Sequence, residues 1–156
     1  MLYLRTKSFT MKLKSAIILL CLFCVTQTYA QLNVNVFING TMAGTYSVNN
    51  DQTDAGMWYK KSVFKNLDKL SIEVKGKELN NGAYVRKVEV LDENSKSLFM
   101  AAETPTVLGQ FLLTDKAVLK RLGKGKQVKL FLLMDPASSK SMAPSKRFFI
   151  GNLSSK

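Results

Sequence analysis

Apolar and polar residues alternate along most of the chain after residue 31, with the period of two that is typical of half-buried β-strands. In the first stretch, Leu32–Ile38, every second residue is apolar, which predicts one face turned towards a core. Segments rich in Gly, Asn, Asp and Ser separate the alternating stretches and indicate turns. The predicted strands lie at 32–38, 42–48, 70–75, 84–90, 98–101, 107–113, 128–134 and 147–153.

The first two predicted strands are joined by Asn39-Gly40, a dipeptide that favours a tight hairpin turn. A two-residue loop would place Val36 opposite Ala43 and would mix the apolar and polar faces of the hairpin. A three-residue loop, Ile38–Gly40, keeps Val36 opposite Met42 on one face. The pattern therefore predicts the longer loop.

Four local features of the later chain carry further expectations. Arg86 interrupts the alternation of its strand and is expected at the end of a sheet. Val128–Met134 is apolar at every position but Lys129, which predicts a central strand covered on both faces. Thr114 is expected to cap a short helix at 115–122. Residues 154–156 are expected to form a tail.

Seven to nine short strands, with turns every 8 to 12 residues and one short helix, predict an all-β fold. The expected arrangement is a single antiparallel β-sandwich that resembles immunoglobulin-like domains in general architecture only. A small β-barrel is the alternative. No internal repeat or interdomain linker is evident, so residues 31–156 are expected to form one domain.

The first 30 residues have the pattern of a secretory signal peptide. Two lysines, Lys12 and Lys14, precede Ala16–Val25, an unbroken apolar run of ten residues. Small residues at Thr28 and Ala30 stand at the positions that signal peptidase reads. The run is shorter than the roughly 20 residues of a transmembrane helix. We therefore expect a true start at Met11, cleavage after Ala30, export to the periplasm or the exterior, and no transmembrane segment in the mature chain.

Composition narrows the chemistry that the exported domain can carry. The chain has no histidine, which is the commonest general base and the usual zinc ligand. Its two cysteines, Cys21 and Cys24, lie in the signal peptide, so the mature domain is expected to have no disulfide and no cysteine-based metal site. We accordingly expect a protein without catalytic residues, without a metal and without a cofactor.

Two weak patterns keep a small secreted hydrolase as the alternative function. Ser62 and Lys65 have the S-x-x-K spacing of penicillin-binding enzymes, although the companion S-D-N and K-T-G motifs are missing. Two of the 11 acidic residues could share a cleft without leaving a sequence pattern, and Asp92-Glu93 is the only adjacent pair. The single tryptophan, Trp58, is expected in the core.

A run of basic residues is the strongest candidate for a binding site. Residues 1–30 hold 4 of the 23 basic residues and no acid, so 19 basic and 11 acidic residues remain, a net charge of +8. A basic surface of this size favours anionic partners. Six cations lie within fourteen residues, with only Asp115 as a nearby acid: Lys116, Lys120, Arg121, Lys124, Lys126 and Lys129.

The basic run also has a purely structural interpretation, because lysines suit a solvated helix face and protect a sheet edge from strand addition. The function that best fits the sequence is a small exported, non-enzymatic binding or accessory module. Its expected partner is an anionic polysaccharide or another cell-surface component, and nucleic acid is not expected.

Export can be tested directly on the N-terminus of the protein. Protein recovered outside the cytoplasm is expected to begin at Gln31, cyclised to pyroglutamate once the preceding residue is removed. Mass spectrometry of the intact protein and of its N-terminal peptide measures this. An N-terminus at Met1 or Met11 in the exported protein would contradict the prediction.

Overall fold

The computed structural model describes residues 32–48, 56–65, 67–80 and 82–155, so the predicted signal peptide lies outside the described residues. Within these ranges, no helix is long and apolar enough to cross a membrane. This part of the chain has one α-helix, α1 (Lys116–Gly123), and two 3₁₀ turns, Lys61–Phe64 and Lys77–Asn80. Its nine strands are β1 (Leu32–Ile38), β2 (Thr41–Val48), β3 (Gly56–Tyr59), β4 (Leu70–Lys75), β5 (Tyr84–Leu91), β6 (Ser97–Ala102), β7 (Gln110–Leu113), β8 (Val128–Pro136) and β9 (Lys146–Ser155).

The strands form two sheets, which confirms the predicted all-β sandwich and excludes a closed barrel for the described chain. One sheet has the order β2-β1-β4-β7, and the other has the order β3-β9-β8-β5-β6. The sandwich is not wholly antiparallel, because β3 pairs with β9 in parallel. That pairing joins Trp58 to Ser154 and Tyr59 to Ser155, so the predicted tail at 154–156 is wrong for its first two residues.

The inward faces of the two sheets supply one continuous hydrophobic core. Val34 and Ile72 from the four-stranded sheet are completely buried, as are Val88 and Leu130 from the five-stranded sheet. These residues occupy alternate positions of their strands, as the period of two predicts. Burial of this apolar surface is the main favourable term in folding.

The β1–β2 hairpin differs from its prediction. Its loop has two residues, Asn39 and Gly40, which both have positive φ angles of 51° and 83°, the combination that a type I′ turn requires. Val36 pairs with Gly44 instead of Met42, because a β-bulge adds Ala43 to β2. The bulge moves the rest of β2 by one residue and so keeps the apolar face on one side with the shorter loop.

The predicted central strand is central but has only one fully buried face. In β8, buried residues from Val128 to Met134 alternate with half-exposed ones. On the outer face, the Phe131 ring lies 5.2 Å from that of Phe149, and the Arg147 guanidinium lies 4.0 Å above Phe131. The outer face of β8 is therefore covered by the Phe149 ring and by the stacked Arg147 side chain.

Arg86 continues the alternation of β5 instead of interrupting it, because its charge is neutralised inside the protein. The residue is 7% exposed, and its guanidinium pairs with the Glu103 carboxylate through Nε and Nη2, both at 2.8 Å. Its Nη1 donates to the Leu79 carbonyl at 2.9 Å. Glu103 also accepts a hydrogen bond from the Gly109 N–H and forms an isolated bridge with Phe111 of β7. This ion pair holds the crossing from one sheet to the other.

The strand predicted at 107–113 begins three residues later than expected, at Gln110. Gly109 has a φ of +76°, and its backbone carbonyl accepts a hydrogen bond of 2.8 Å from the N–H of Val74. A Cβ at this position would lie 2.2 Å from the Val74 carbonyl oxygen. Only glycine fits both the conformation and the space, so residues 107–109 form a turn.

The Arg86–Glu103 pair makes a testable contribution to stability. Replacement of Arg86 by Met leaves the Glu103 carboxylate without its partner, which we expect to lower the free energy of unfolding by about 3–5 kcal/mol. Urea denaturation followed by circular dichroism measures the change from the transition midpoint.

The matched control is Lys75→Gln, which breaks the Lys75–Glu73 pair, whose lysine side chain is 61% exposed. That change is expected to lower the free energy of unfolding by about 0–1 kcal/mol. The double variant Arg86→Met with Glu103→Gln should recover part of the loss. Equal losses in Arg86→Met and Lys75→Gln would contradict a special role for the buried pair.

Candidate functional site

Helix α1 is bounded by two local signals. Its N-cap is Asp115, whose Oδ1 accepts a hydrogen bond of 3.0 Å from the Val118 N–H, so the predicted cap at Thr114 is wrong by one residue. At the other end, the Lys126 N–H donates a hydrogen bond of 3.0 Å to the Arg121 carbonyl. The Gly125 N–H donates one of 2.9 Å to the Leu122 carbonyl. This pair of bonds is a Schellman motif, closed by a glycine at 125 with a φ of +78°. The turn that ends the helix carries two of its lysines.

The packing of α1 determines which cations face the solvent. Val118 and Leu122 are completely buried and attach the helix to the domain. Lys116 and Lys120 are exposed, and Arg121 is half-buried at the edge of the buried stripe. Ala117 is also exposed. The amphipathic pattern thus orients the helix so that its cationic side remains accessible.

Four of the six predicted cations surround one pocket of about 250 Å³. Lys120, Arg121, Lys124 and Lys126 line it together with the apolar side chains of Leu98 and Ala117. Leu98 is the extra residue of a β-bulge in β6, because Val90 pairs with Phe99 and Leu91 pairs with Ser97. We call this site the α1 pocket. It combines positive charge with an apolar surface.

The remaining two cations lie apart from the α1 pocket. Lys116 is in the first turn of α1 and is not among the residues that line the pocket. Lys129 lies on β8, and its Nζ donates a hydrogen bond of 3.1 Å to Ser95 Oγ. Among the described residues, the structure therefore gathers Lys120 to Lys126 at the pocket and leaves the two ends of the basic run outside it.

Glu93 belongs to the site although no local sequence pattern predicts it. Its carboxylate pairs with Arg121 and lies 3.9 Å from Lys126 Nζ, although it precedes Arg121 by 28 residues. Its own backbone N–H, followed by the Arg121 guanidinium, holds the pKa of Glu93 below its usual value. The basic run is therefore partly neutralised by a distant acid.

The turn that carries Glu93 is fixed by its neighbour. Asp92 is 8% exposed, and its Oδ1 accepts 2.9 Å hydrogen bonds from the N–H groups of Asn94 and Lys96. Asp92 thus shapes the turn between β5 and β6 while Glu93 reaches α1. The adjacent pair has two separate structural roles and does not form a two-carboxylate site. A general acid would need a raised pKa, whereas the shift of Glu93 is downward.

Three other carboxylates also have structural partners. Glu73 accepts a hydrogen bond of 2.8 Å from Asn35, Glu89 accepts one of 2.9 Å from Arg147, and Asp135 accepts one of 2.9 Å from Ser145. Within the described residues, no three acidic side chains gather in a group that could hold a metal ion. No specific contact in this part of the chain favours the hydrolase alternative.

Two further sequence candidates lie at the surface. Ser62 and Lys65 are both exposed, at the 3₁₀ turn that follows β3. Trp58, which was expected in the core, is 49% exposed on the edge strand β3. Its outward position follows from the alternation of β3, because the completely buried Met57 takes the inward place beside it.

Comparisons of this chain with protein family models, with curated proteins and with solved structures found no match. The function is therefore inferred from the geometry of the described residues.

Proposed function

We propose that this protein is a small exported binding module that attaches to an anionic polysaccharide or another anionic cell-surface component through the α1 pocket. The observation that supports this most directly is the convergence of Lys120, Arg121, Lys124 and Lys126 around one pocket. Export rests on the signal-peptide pattern of residues 11–30. The proposed role is non-enzymatic.

The chemistry of the α1 pocket favours an acidic sugar chain over nucleic acid. Single-stranded nucleic acids are usually held by aromatic rings that stack on the bases, and the described lining of this pocket contains no aromatic side chain. Leu98 and Ala117 offer a small apolar surface suited to the C–H face of a sugar ring. The surrounding cations would bind its carboxylate or sulfate groups.

Glu93 gives the proposed site a defined geometry. Side chains as long as lysine and arginine lose conformational entropy when a ligand orders them. The Glu93 carboxylate already holds the Arg121 guanidinium, which reduces that loss for one of the four cations. The same carboxylate weakens the attraction of the α1 pocket for an anion. Glu93 therefore orders Arg121 but lowers the net positive charge of the pocket.

The first test removes three exposed charges together. Lys120→Gln, Lys124→Gln and Lys126→Gln leave the half-buried Arg121 and its ion pair intact. We expect weaker binding to a polyuronate or a sulfated polysaccharide at low salt. The slope of log affinity against log salt should fall by about one for each lysine that contacts the polymer. Isothermal titration calorimetry over a salt series measures both quantities.

The matched control makes the same change in net charge elsewhere. Lys60, Lys65 and Lys77 are exposed and lie outside the α1 pocket, so their replacement by glutamine separates a local site from general attraction. Equal losses in the two triple variants would assign binding to net charge alone. Unchanged binding in the α1 variant would leave the lysines as a solvated surface.

A second test uses Glu93→Gln, which removes the negative charge beside Arg121 and Lys126. Affinity for the same polymer should rise, by about threefold to fivefold for each ligand charge close to this position, because a repulsive charge is lost. The rise should shrink as salt increases. Lower affinity in this variant would show that the orientation of Arg121 outweighs the added charge.

A further inference from the structure

A larger pocket, of about 510 Å³, lies on the outer face of the four-stranded sheet. Its floor is a row of three paired residues: Phe37 of β1 is opposite Ser71 of β4, which is opposite Leu112 of β7. Phe37 and Leu112 are half-exposed. They give the pocket an aromatic and an aliphatic surface on either side of a hydroxyl group. We call it the sheet pocket.

One wall of the sheet pocket is polar and belongs to the crossing between the sheets. Thr104 and Thr106 line it from the segment after β6, and Gln110 lines it from the start of β7. The Thr104 hydroxyl donates to Gln110 Oε1 at 3.4 Å, which leaves the amide nitrogen of Gln110 as a donor. The Arg86–Glu103 ion pair adjoins this wall and holds it in place.

Ser71 is the polar residue of the floor. It is 4% exposed and lies between Phe37 and Leu112 in the lining of the pocket. A serine hydroxyl can both donate and accept a hydrogen bond. Ser71 can therefore bond to a ligand at the base of the sheet pocket.

The charge of the lining selects among possible ligands. Lys69 is the one charged residue among those described around the pocket, and no carboxylate lines it. Glu73, on the next outward position of β4, is occupied by Asn35 and Lys75. The sheet pocket thus offers hydroxyl groups, an amide, an aromatic floor and a single positive charge.

We propose that the sheet pocket binds a sugar residue that carries one carboxylate. The C–H face of the ring would pack on Phe37, and the ring hydroxyls would bond to Ser71 and Gln110. The carboxylate would pair with Lys69 at the rim. This site shares no lining residue with the α1 pocket, so the proposal stands or fails independently of the proposed function.

Titration of the ¹⁵N-labelled protein with glucuronic acid and, separately, with glucose tests this site. We expect saturable shifts of the Ser71 and Gln110 backbone amides and of the Gln110 side-chain amide. Glucuronic acid should bind several-fold more tightly than glucose, because only the acid can pair with Lys69. No saturable shift, or shifts confined to α1, would overturn the proposal.

Two variants assign the contacts. Ser71→Ala should weaken binding of both sugars by about threefold to tenfold, which is the loss of one hydrogen bond. Lys69→Gln removes an exposed charge and should abolish the preference for the acid while glucose still binds. Because the second change is at the surface, it tests the site even where Ser71→Ala fails to fold.

Two controls complete the experiment. Lys65→Gln removes an exposed lysine outside the pocket and should leave both affinities unchanged. The triple α1 variant with glutamine at 120, 124 and 126 should also keep glucuronic acid binding. Loss of sugar binding in either control would show that the shifts report general attraction of an anion. A preference for glucuronic acid that persists in Lys69→Gln would overturn the assigned contact.

Discussion

One part-buried carboxylate, that of Glu103, determines how the chain passes between the two sheets. It accepts hydrogen bonds from Arg86 on β5 and from the Gly109 N–H before β7, so it joins the five-stranded sheet to the four-stranded one. A charge that is largely removed from water is stable only when an opposite charge and hydrogen-bond donors compensate for the lost hydration. The segment that it fixes forms the wall of the sheet pocket and leads through β7 into α1. Both candidate sites therefore depend on the same interaction.

The sequence was sufficient to predict the fold class and the inward positions of most strands. Every second residue of β1 and β4 is buried as expected, because burial follows the pleat of the strand regardless of its partners. The error in the β1–β2 hairpin arises where one residue, Ala43, is added to β2, and Leu98 and Ile150 are added to β6 and β9 in the same way. A bulge changes the register without changing the composition, so the alternation of a single strand cannot reveal it.

The candidate sites were visible in the sequence only as far as they are local. The α1 cations follow one another within a helix and its capping turn, so their proximity is a property of the segment. Glu93 and Leu98 reach them through the β5–β6 turn, which no local pattern predicts. The sheet pocket leaves even less signal, since Phe37 and Ser71 stand at outward positions that a binary pattern treats as solvated.

Edge protection and the proposed binding role require different arrangements of the cations in the basic run. Strand β6 is an edge strand without charged residues, and α1 packs beside it, so cations at this place discourage a second copy from adding a strand. Protection of an edge needs only charge near the edge. It does not need Lys120, Lys124 and Lys126 to surround an apolar floor at Leu98, or a carboxylate that orients Arg121. The convergence of these groups is the observation that favours the proposed binding role over a protected edge.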